Sequence, residues 1–377
     1  MNDCVITGGI VLDPLTGSRE KRDLCFNNGY VSDSSPDADA FRVDVAGAYV
    51  APGFIDLHTH IFSHSLFGHG RLTADRIGVH QGVACVVDAG SSGAITIDAF
   101  PENVHATQAT RAYAFINIGS PGLPNLGGGH ASRPELLDLE GVVRAFDRHG
   151  DWLAGVKVLA SQSHTGAFGL EAVKIARKAA SLVDRPLMLH IGNAPPLIDD
   201  VLDLLREGDI VTHTYHGKVG GVLGFNDAVI APFKEAVARG VVVDLGHGRS
   251  SFSFRVYEAA RAQGMPLDCI SSDLHKGNVD RYAVSLVRTM SKMRALDMSL
   301  DEVIQRVTLH PARAIGLDTL GFGSLTPGIS STATIFREIP VDIELEDAEG
   351  EVRHASTWLE TVGCVVEGKY YQATETL

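Results

Sequence analysis

The sequence predicts an α/β protein: a (β/α)8 barrel of the TIM type, with a small β-sandwich domain formed by both termini. Three observations support this prediction. Eight short apolar runs recur between residues 50 and 272, amphipathic segments separate them, and both ends of the chain carry only short alternating stretches. Eight strands alternating with helices over roughly 260 residues match the usual size of a closed barrel, whereas an open doubly wound sheet more often stops at about five to seven strands.

Eight segments are predicted as barrel strands because each is apolar, rich in β-branched residues and bounded by turn-forming residues. They span residues 50–57, 83–89, 111–118, 153–159, 186–191, 209–214, 241–245 and 267–272. Four segments between them have apolar residues at three- and four-residue spacing, which predicts outer helices. These helices span residues 134–149, 170–182, 227–239 and 254–263.

Both ends of the chain contain short stretches in which apolar residues alternate with polar or turn residues. The stretches are residues 5–13, 25–31, 41–49, 332–336 and 364–371. Neither set offers enough apolar surface to fold alone, so we expect the two sets to pair in one sandwich. The predicted domains are residues 1–51 with 320–377 for the β-sandwich and residues 52–319 for the catalytic barrel.

Charge and apolar patterning argue against several classes of protein. The chain has 32 Lys and Arg against 46 Asp and Glu, a formal net charge of −14 and no basic run, so we expect no nucleic-acid partner.

No apolar run approaches the ~20 residues that span a bilayer, and the N-terminus lacks the layout of a signal peptide. We therefore expect a cytoplasmic protein, with homo-oligomerisation left open. Five scattered cysteines indicate buried thiols rather than disulfides.

Two histidines close the first predicted barrel strand. Residues two apart on a strand point the same way, so His58 and His60 present both imidazoles to one side. An isolated pair of this kind is more often structural than functional. Here three further residues change the interpretation, because His190, His213 and Asp273 stand at the predicted ends of strands five, six and eight.

The carboxyl ends of barrel strands converge on one face, which is where the active sites of such barrels lie. Four histidines and an aspartate would therefore share one region, and imidazole with carboxylate suits zinc and its neighbours in the first transition row. Asp273 alone could instead cap a following helix, but that role would not explain why it shares the strand-end position of the histidines.

Lys157 stands between valines in the fourth predicted strand, where an amine would lose its hydration. One interpretation is a lysine that extends to the end of the barrel and meets a carboxylate. The other is a carboxylated lysine, whose carbamate has two oxygens that could bridge two metal ions.

These residues and motifs resemble the binuclear amidohydrolase superfamily over nearly the whole chain. The resemblance rests on Ala-Pro-Gly-Phe-Ile-Asp-Leu-His-Thr-His at residues 51–60, on the lone Lys157 of strand four, and on the strand-end residues His190, His213 and Asp273. The stretches 307–316 and 323–328 add to it. Within the superfamily the chain is most similar to the amidohydrolase/deacetylase group, whose members are often labelled dihydroorotases. Asp-Leu-Gly-His-Gly at 244–248, Ser-Phe-Ser-Phe at 251–254 and Ser-Asp-Leu-His at 272–275 indicate this group.

The resemblance implies a site with two divalent metal ions, for which zinc (Zn²⁺) is expected. His58, His60 and Asp273 would hold the more buried ion, and His190 and His213 the more exposed one. Lys157 would bridge them as an N6-carboxylated side chain. A hydroxide between the ions would attack the substrate, and Asp273 would be the catalytic acid and base.

Substrate contacts are expected from the loops that follow the strands. Basic residues cluster after strands six, seven and eight and predict an anionic small-molecule substrate, although each could equally be a solvated loop residue. They are His216, Lys218, His247, Arg249, His275, Lys276 and Arg281.

Three functions fit these observations. The first is hydrolysis of an acyl ester or amide bond next to a carboxylate. The second is cyclic amide hydrolysis of the dihydroorotase or hydantoinase kind with the same metals, and the third is a metal-free binding protein on the same barrel.

Overall fold

The structure, a computed structural model, describes residues 3–36, 38–62, 72–123 and 131–374. The strands are β1 (Cys4–Thr7), β2 (Ile10–Asp13), β3 (Ser18–Lys21), β4 (Leu24–Asn27), β5 (Tyr30–Ser32), β6 (Phe41–Asp44), β7 (Tyr49–Pro52), β8 (Ile55–Thr59), β9 (Cys85–Gly93), β10 (Arg111–Asn117), β11 (Leu153–Ala160), β12 (Leu187–Ile191), β13 (Ile210–Thr212), β14 (Val242–Val243), β15 (Thr332–Glu346), β16 (Val352–Val366) and β17 (Lys369–Gln372).

The α-helices are α1 (Ala74–Ile77), α2 (Leu139–His149), α3 (Gln162–Thr165), α4 (Leu170–Leu182), α5 (Ile198–Asp203), α6 (Ala231–Ala238), α7 (Phe254–Ala262), α8 (Leu286–Ala295), α9 (Leu300–Val307) and α10 (Leu309–Ala314). The four predicted outer helices correspond to α2, α4, α6 and α7. The first of them begins later than predicted because Asp138 caps it: its side chain accepts the N–H of Gly141 at 2.7 Å. No helix in the described ranges is long and apolar enough to cross a bilayer.

Strands β8 to β14 form one parallel sheet in sequence order, and an eighth segment, residues 267–272, closes it into the predicted barrel together with Leu274 just after it. Cys269 bridges Asp244 next to β14, and Leu274 bridges Thr59 at the end of β8, both in parallel. The prediction of an eighth strand is wrong, because residues 267–272 do not form a continuous hydrogen-bonded ladder with their neighbours. One reason is that the N–H of Ser272 donates to a carboxylate oxygen of Asp56 at 3.0 Å instead of to a backbone carbonyl.

The first predicted barrel strand, residues 50–57, is also wrong in its bounds, because the structure divides it between two sheets. β7 pairs with β15 of the sandwich, whereas β8 begins the barrel. Pro52 cannot donate a backbone hydrogen bond, and a Cβ atom on Gly53 would lie 2.6 Å from Oγ1 of Thr332. The Pro-Gly pair therefore ends one strand and lets the chain pass closely to the next.

The strands from both termini form two sheets, with the orders β5-β4-β1-β6 and β17-β16-β15-β7-β2-β3. Their inner faces share one apolar cluster, to which Phe26 and Val31 contribute from the N-terminal part and Ile335 and Val365 from the C-terminal part. The C-terminal strands are longer than predicted: β15 and β16 each have 15 residues and form one hairpin. The hairpin packs on α8 through Leu345, Ala355 and Trp358. The domain boundaries given above stay a prediction.

All five cysteines carry free thiols. Four are buried in the cores, and Cys25 is half-buried. Burial raises the pKa of the Cys85 thiol to about 12, so this sulfur stays protonated at neutral pH. The thiols therefore act as small apolar side chains in packing, as the scattered positions predicted.

Candidate metal centre

His58, His60 and Asp273 meet at the carboxyl end of the barrel. His58 lies near the end of β8, His60 follows that strand, and Asp273 follows the eighth segment with a left-handed φ of 49°. Oδ1 of Asp273 lies 3.4 Å from Nε2 of His58 and 3.2 Å from Nε2 of His60. One ligand atom from each residue lies within 4.8 Å of the others, which is the spacing of a mononuclear metal site.

His190 and His213 extend this group to a row of four imidazoles. His190 lies on β12, and His213 follows β13 with a left-handed φ of 64°. Their ring centroids are 4.4 Å apart, and the ring of His213 lies 5.0 Å from that of His58. The row therefore runs His60, His58, His213, His190 along the end of the barrel.

Lys157 lies in the middle of β11 beneath this row. Its side chain is 1 % exposed, and Nζ lies 3.4 Å from Nε2 of His58 and 3.3 Å from the sulfur of Met188. No carboxylate in the described part of the chain lies within ion-pair distance of Nζ. Gly90 makes room for the lysine, since a Cβ atom there would lie 2.7 Å from its Cβ and Cγ atoms. The alternative in which Lys157 meets a carboxylate is thus not realised.

The protonation states of these residues suit metal binding. Burial, reinforced by the charge of Lys157, lowers the pKa of His58 well below its usual range, and burial lowers that of His213 to about 3. Burial alone would raise the pKa of Asp273, but its hydrogen bond with His60 and the charges of nearby histidines hold it at about 2. Neutral imidazoles and an ionised carboxylate are the forms that bind metal ions.

Asp273 does not cap a helix. The next described helix along the chain is α8, whose N-terminal cap is Ser285. The backbone carbonyl of Asp273 instead accepts a hydrogen bond from Nδ2 of Asn278 at 2.8 Å. Its carboxylate thus stays directed to the histidines.

Two buried aspartates that the sequence analysis did not select support the first histidine pair. Asp56 accepts hydrogen bonds from the backbone and the hydroxyl of Ser272, which joins the first strand to the eighth segment. Asp88 accepts the N–H of Ser91 at 2.7 Å, and Oγ of Ser91 lies 2.8 Å from Nδ1 of His60. Each acid is unusual in an apolar strand, the same signal that singled out Lys157.

Strand seven contributes no imidazole, yet the segment after it contacts two. Oγ1 of Thr212 lies 2.8 Å from Nδ1 of His58 and donates to Asp244 at 2.6 Å. The carbonyl oxygen of Gly246 lies 2.6 Å from Nδ1 of His213. Burial raises the pKa of Asp244 to about 6, and the hydrogen bonds from Thr212 and Ser271 oppose the rise.

His216 and Lys218 lie in the loop after strand six. His216 is buried, its Nδ1 accepts the N–H of Lys218 at 3.1 Å, and its Nε2 has no hydrogen-bond partner among the described residues. Burial lowers the pKa of Lys218, and the charge of Asp273 opposes the shift. Within the described ranges, the ammonium of Lys218 has no carboxylate partner. Lys218 is therefore a half-buried cation beside the row.

His247 takes a different position from the substrate contact that the sequence suggested. It is fully buried, its Nδ1 donates to the carbonyl of Gly248 at 2.9 Å, and its Nε2 accepts from Nζ of Lys292 at 2.7 Å. Gly248 in turn contacts the site, since a Cβ atom there would lie 2.7 Å from Oδ2 of Asp273. Both ring nitrogens are thus used within the protein, which favours a supporting role.

The remaining predicted contacts lie farther out. The ring of His275 lies 6.3 Å from that of His60, and its Nδ1 accepts the N–H of Gly277. Arg249 and Arg281 are exposed and both lie over the ring of Tyr282, at 5.7 and 4.9 Å. Lys276 is exposed. Of these residues, His275 lies beside His60 at one end of the imidazole row, whereas Arg249, Lys276 and Arg281 are exposed around it.

Comparison with known proteins gives relatives named deacetylase, adenine deaminase and dihydroorotase. The chain is 35 % identical over 324 residues to a deacetylase of Agrobacterium fabrum, covering 84 % of this chain and 77 % of the relative. It is 32 % identical over 333 residues to a deacetylase of Enterococcus faecalis, covering 86 % and 87 %. A solved structure described as a dihydroorotase superposes with a TM-score of 0.92 at 29 % identity, covering 100 % of this chain and 99 % of that one. No family model matches the chain.

Proposed function

We propose a substrate class for this chain, which belongs to the deacetylase group of the amidohydrolase superfamily: a small molecule that carries a carboxylate beside an acyl ester or acyl amide bond. The family makes the chain a metal-dependent hydrolase. We infer the scissile bond and the carboxylate of the substrate from the residues of the site. The relatives named deacetylase support an acyl group as the part that is removed.

The observation that carries the proposal is the cluster of His58, His60 and Asp273 beside the buried Lys157. Ligand atoms of the first three lie within 4.8 Å of one another, and the set of donors suits a first-row divalent ion such as zinc. His190 and His213 offer a second pair of neutral nitrogens. We assign the first three residues to one ion and the second pair to another.

Lys157 fits the role of a bridging ligand only in a modified form, because two cations would repel its ammonium and a neutral amine has only one lone pair. Burial lowers the pKa of its amine to about 8, although Asp273 and two other carboxylates oppose this shift. A neutral amine can add to carbon dioxide: the new N–C bond forms, the nitrogen releases one proton to solvent, and the product is a carbamate anion with two ligand oxygens. We propose that Lys157 is N6-carboxylated in the active protein.

Bound divalent ions would lower the pKa of a water molecule and polarise the acyl carbonyl. The residues of the chain supply the proton transfers. Water adds its oxygen to the acyl carbon, Asp273 takes the released proton, and the same carboxyl returns it to the leaving nitrogen or oxygen as the acyl bond breaks. Asp273 suits this role because its ionised carboxylate touches two imidazoles and is still 13 % exposed.

We propose that Lys218 binds the carboxylate of the substrate. It is a half-buried cation without a carboxylate partner in the described part of the chain, and its charge acts on His190, His213 and Asp273. A partly buried charge gains from a partner of opposite sign. The basic residues farther out, such as Arg249 and Arg281, would attract an anion from solution.

A substrate screen tests this proposal. Protein loaded with zinc in the presence of bicarbonate is assayed on N-acyl amino acids, on O-acyl hydroxy acids and on the same compounds with the carboxylate converted to a carboxamide. We expect hydrolysis of acylated acids and a much lower kcat/KM for the carboxamides. Equal rates on both would contradict the carboxylate, and turnover of neither class would contradict the acyl bond.

The second candidate is hydrolysis of a cyclic amide, which the structural similarity to a dihydroorotase favours. The same metal site and the same proton carrier would serve, since a ring amide is also attacked at its carbonyl. Including cyclic ureides in the screen separates the two. Turnover confined to the ureides would replace the first proposal with the second.

A further inference from the structure

The segment after strand seven carries none of the proposed metal ligands, yet it lies beside one imidazole from each proposed site. Oδ2 of Asp244 lies 3.8 Å from Nδ1 of His58 and also reaches it through Thr212 of strand six, and the carbonyl oxygen of Gly246 contacts His213. We propose that residues 244–246 are a positioning element that fixes the tautomer and the ring orientation of both His58 and His213. The inference rests on the proposed function, because these two imidazoles are assigned there to different ions.

The first contact is a chain of side-chain hydrogen bonds. The N–H of Gly246 donates to Oγ of Ser271 at 3.0 Å, and the Ser271 hydroxyl donates to Oδ2 of Asp244 at 2.8 Å. The Thr212 hydroxyl donates to the same Oδ2 at 2.6 Å. Oδ2 of Asp244 thus accepts from two hydroxyls, so the protons of Thr212 and Ser271 are both directed at Asp244.

This direction settles the protonation of His58. Because the Thr212 proton is used on Asp244, Oγ1 of Thr212 can only accept from the imidazole, 2.8 Å away. Nδ1 of His58 must then carry the ring proton, and Nε2 keeps its lone pair. Nε2 is the atom that lies 3.4 Å from both Asp273 and Lys157, so the lone pair faces the proposed ligands.

The second contact acts on His213 by the same logic. A backbone carbonyl only accepts, so the Gly246 oxygen at 2.6 Å requires a proton on Nδ1 of His213. Nε2 of that ring is then free to bind a metal ion. One short segment therefore selects the same tautomer in two histidines that follow or end different strands.

Gly246 is the residue that allows both contacts. It has a left-handed φ of 52°, and a Cβ atom there would lie 2.8 Å from Nδ1 of His213 and closer still to Oγ1 of Thr212. Any side chain would displace one of the two groups. The close approach thus explains a glycine at this position of the loop.

Metal-ligating histidines commonly depend on such partners, whose loss costs about 10- to 100-fold in metal affinity. Thr212→Val keeps the shape of the side chain and removes the oxygen that accepts from His58. We expect its affinity for zinc at the site of His58 to fall by about 10- to 100-fold. Thr212→Ser keeps the oxygen and is expected to bind zinc like the wild type.

The affinities are measured by stripping the protein of metal and reloading it with zinc in competition with a chromogenic chelator. Thr289→Val is the matched control, because the Thr289 hydroxyl is equally buried but donates to the carbonyl oxygen of Ser285, the N-cap of α8, away from the imidazoles. The inference is supported if Thr212→Val alone loses affinity, and overturned if it binds zinc as tightly as Thr212→Ser.

A second measurement needs no variant and no metal. Histidine-selective ¹⁵N labelling of the metal-free wild type reports which ring nitrogen carries the proton, and we expect Nδ1 for His58 and His213. A proton on Nε2 of either ring would overturn the inference even if Thr212→Val failed to fold. If the wild type binds no zinc, the proposed function fails, while the tautomer result still decides the role of residues 244–246.

Discussion

Nζ of Lys157 lies 3.4 Å from Nε2 of His58, and both side chains are 1 % exposed. In water the lysine would be protonated at neutral pH and the histidine below about pH 6.5, and two cations at this distance without solvent would repel strongly. Burial lowers the pKa of both, so the pair is stable with one or both groups neutral. The contact therefore favours a Lys157 whose amine is either neutral or covalently modified. Substitution of Lys157 is thus the most informative test of the proposed metal bridge.

Lys157→Ala is expected to lower kcat by at least about 100-fold, as removal of a group acting on the transition state does. The variant should also bind less metal, because it lacks the proposed bridging oxygens. Metal content and kcat are measured with and without bicarbonate, which should raise the activity of the wild type only. Full metal content and an unchanged kcat in the variant would refute the bridge.

Asp273→Asn tests the proton carrier. The amide has nearly the same shape but cannot take up a proton at neutral pH, so we expect kcat to fall by about 10²- to 10⁴-fold. Asp280→Asn, an exposed aspartate seven residues later that pairs with Arg76, serves as the control and should retain activity. A rate for Asp273→Asn within a few-fold of wild type, with the metals still bound, would exclude the role given to Asp273.

Lys218→Met tests the substrate carboxylate. Loss of one charged hydrogen bond should raise KM for an acylated acid by about 10- to 100-fold, and leave KM for the matching carboxamide nearly unchanged. Lys234→Met, which removes an exposed lysine from α6, should change neither value. Equal effects of Lys218→Met on both substrates would show that the ammonium does not bind the carboxylate.

The buried Lys292 is expected to make the free energy of unfolding of the protein depend on pH. Burial, with the charge of Arg288, lowers the pKa of its amine to about 7, whereas an unfolded lysine has a pKa of about 10.4. Between these values the unfolded chain binds the additional proton, so the contribution of Lys292 to the free energy of unfolding rises with pH, by up to about 1.4 kcal/mol per unit.

The measurement compares the free energies of unfolding of wild type and Lys292→Met from pH 7 to 10. The stability of the wild type relative to the variant should increase over this range and level off below pH 7. Lys234→Met provides the baseline, because this lysine is exposed in the folded protein. A difference between wild type and Lys292→Met that stays constant with pH would mean that the buried amine is not neutral.

The sequence predicted the barrel and the imidazole row because both depend on local spacing. His58 and His60 face one way since they are two apart on a strand, and the strand-end positions of His190 and His213 follow from apolar runs that end there. Closure of the barrel then brings these ends together. Nothing beyond periodicity was needed for this part.

The partners of these histidines could not be predicted in the same way, because they are distant in the chain. His58 contacts Thr212, which is 154 residues away in the chain. His247 contacts Lys292, which is 45 residues away and lies on α8, outside the ring of barrel strands. A histidine in a loop after a strand looks the same in sequence whether it meets a substrate or a lysine. Only the fold distinguishes the two.

The long hairpin was missed for a local reason. Residues 337–346 alternate as a strand does, but Pro340 interrupts the pattern, and proline is normally confined to strand edges and bulges. The structure accommodates it at an irregularity, since the register of β15 with β16 shifts between Pro340 and Ile343. The strand continues beyond the proline and reaches α8.

We expect the row of histidines, Asp273 and a carboxylated Lys157 to hold two divalent ions. The decisive experiment is a metal count on protein that has been stripped, reloaded with zinc in the presence of bicarbonate and freed of excess metal. About two zinc ions per chain and a gain of activity on loading are expected. Well under one ion per chain, with no gain of activity, would show that these residues do not form a two-ion site.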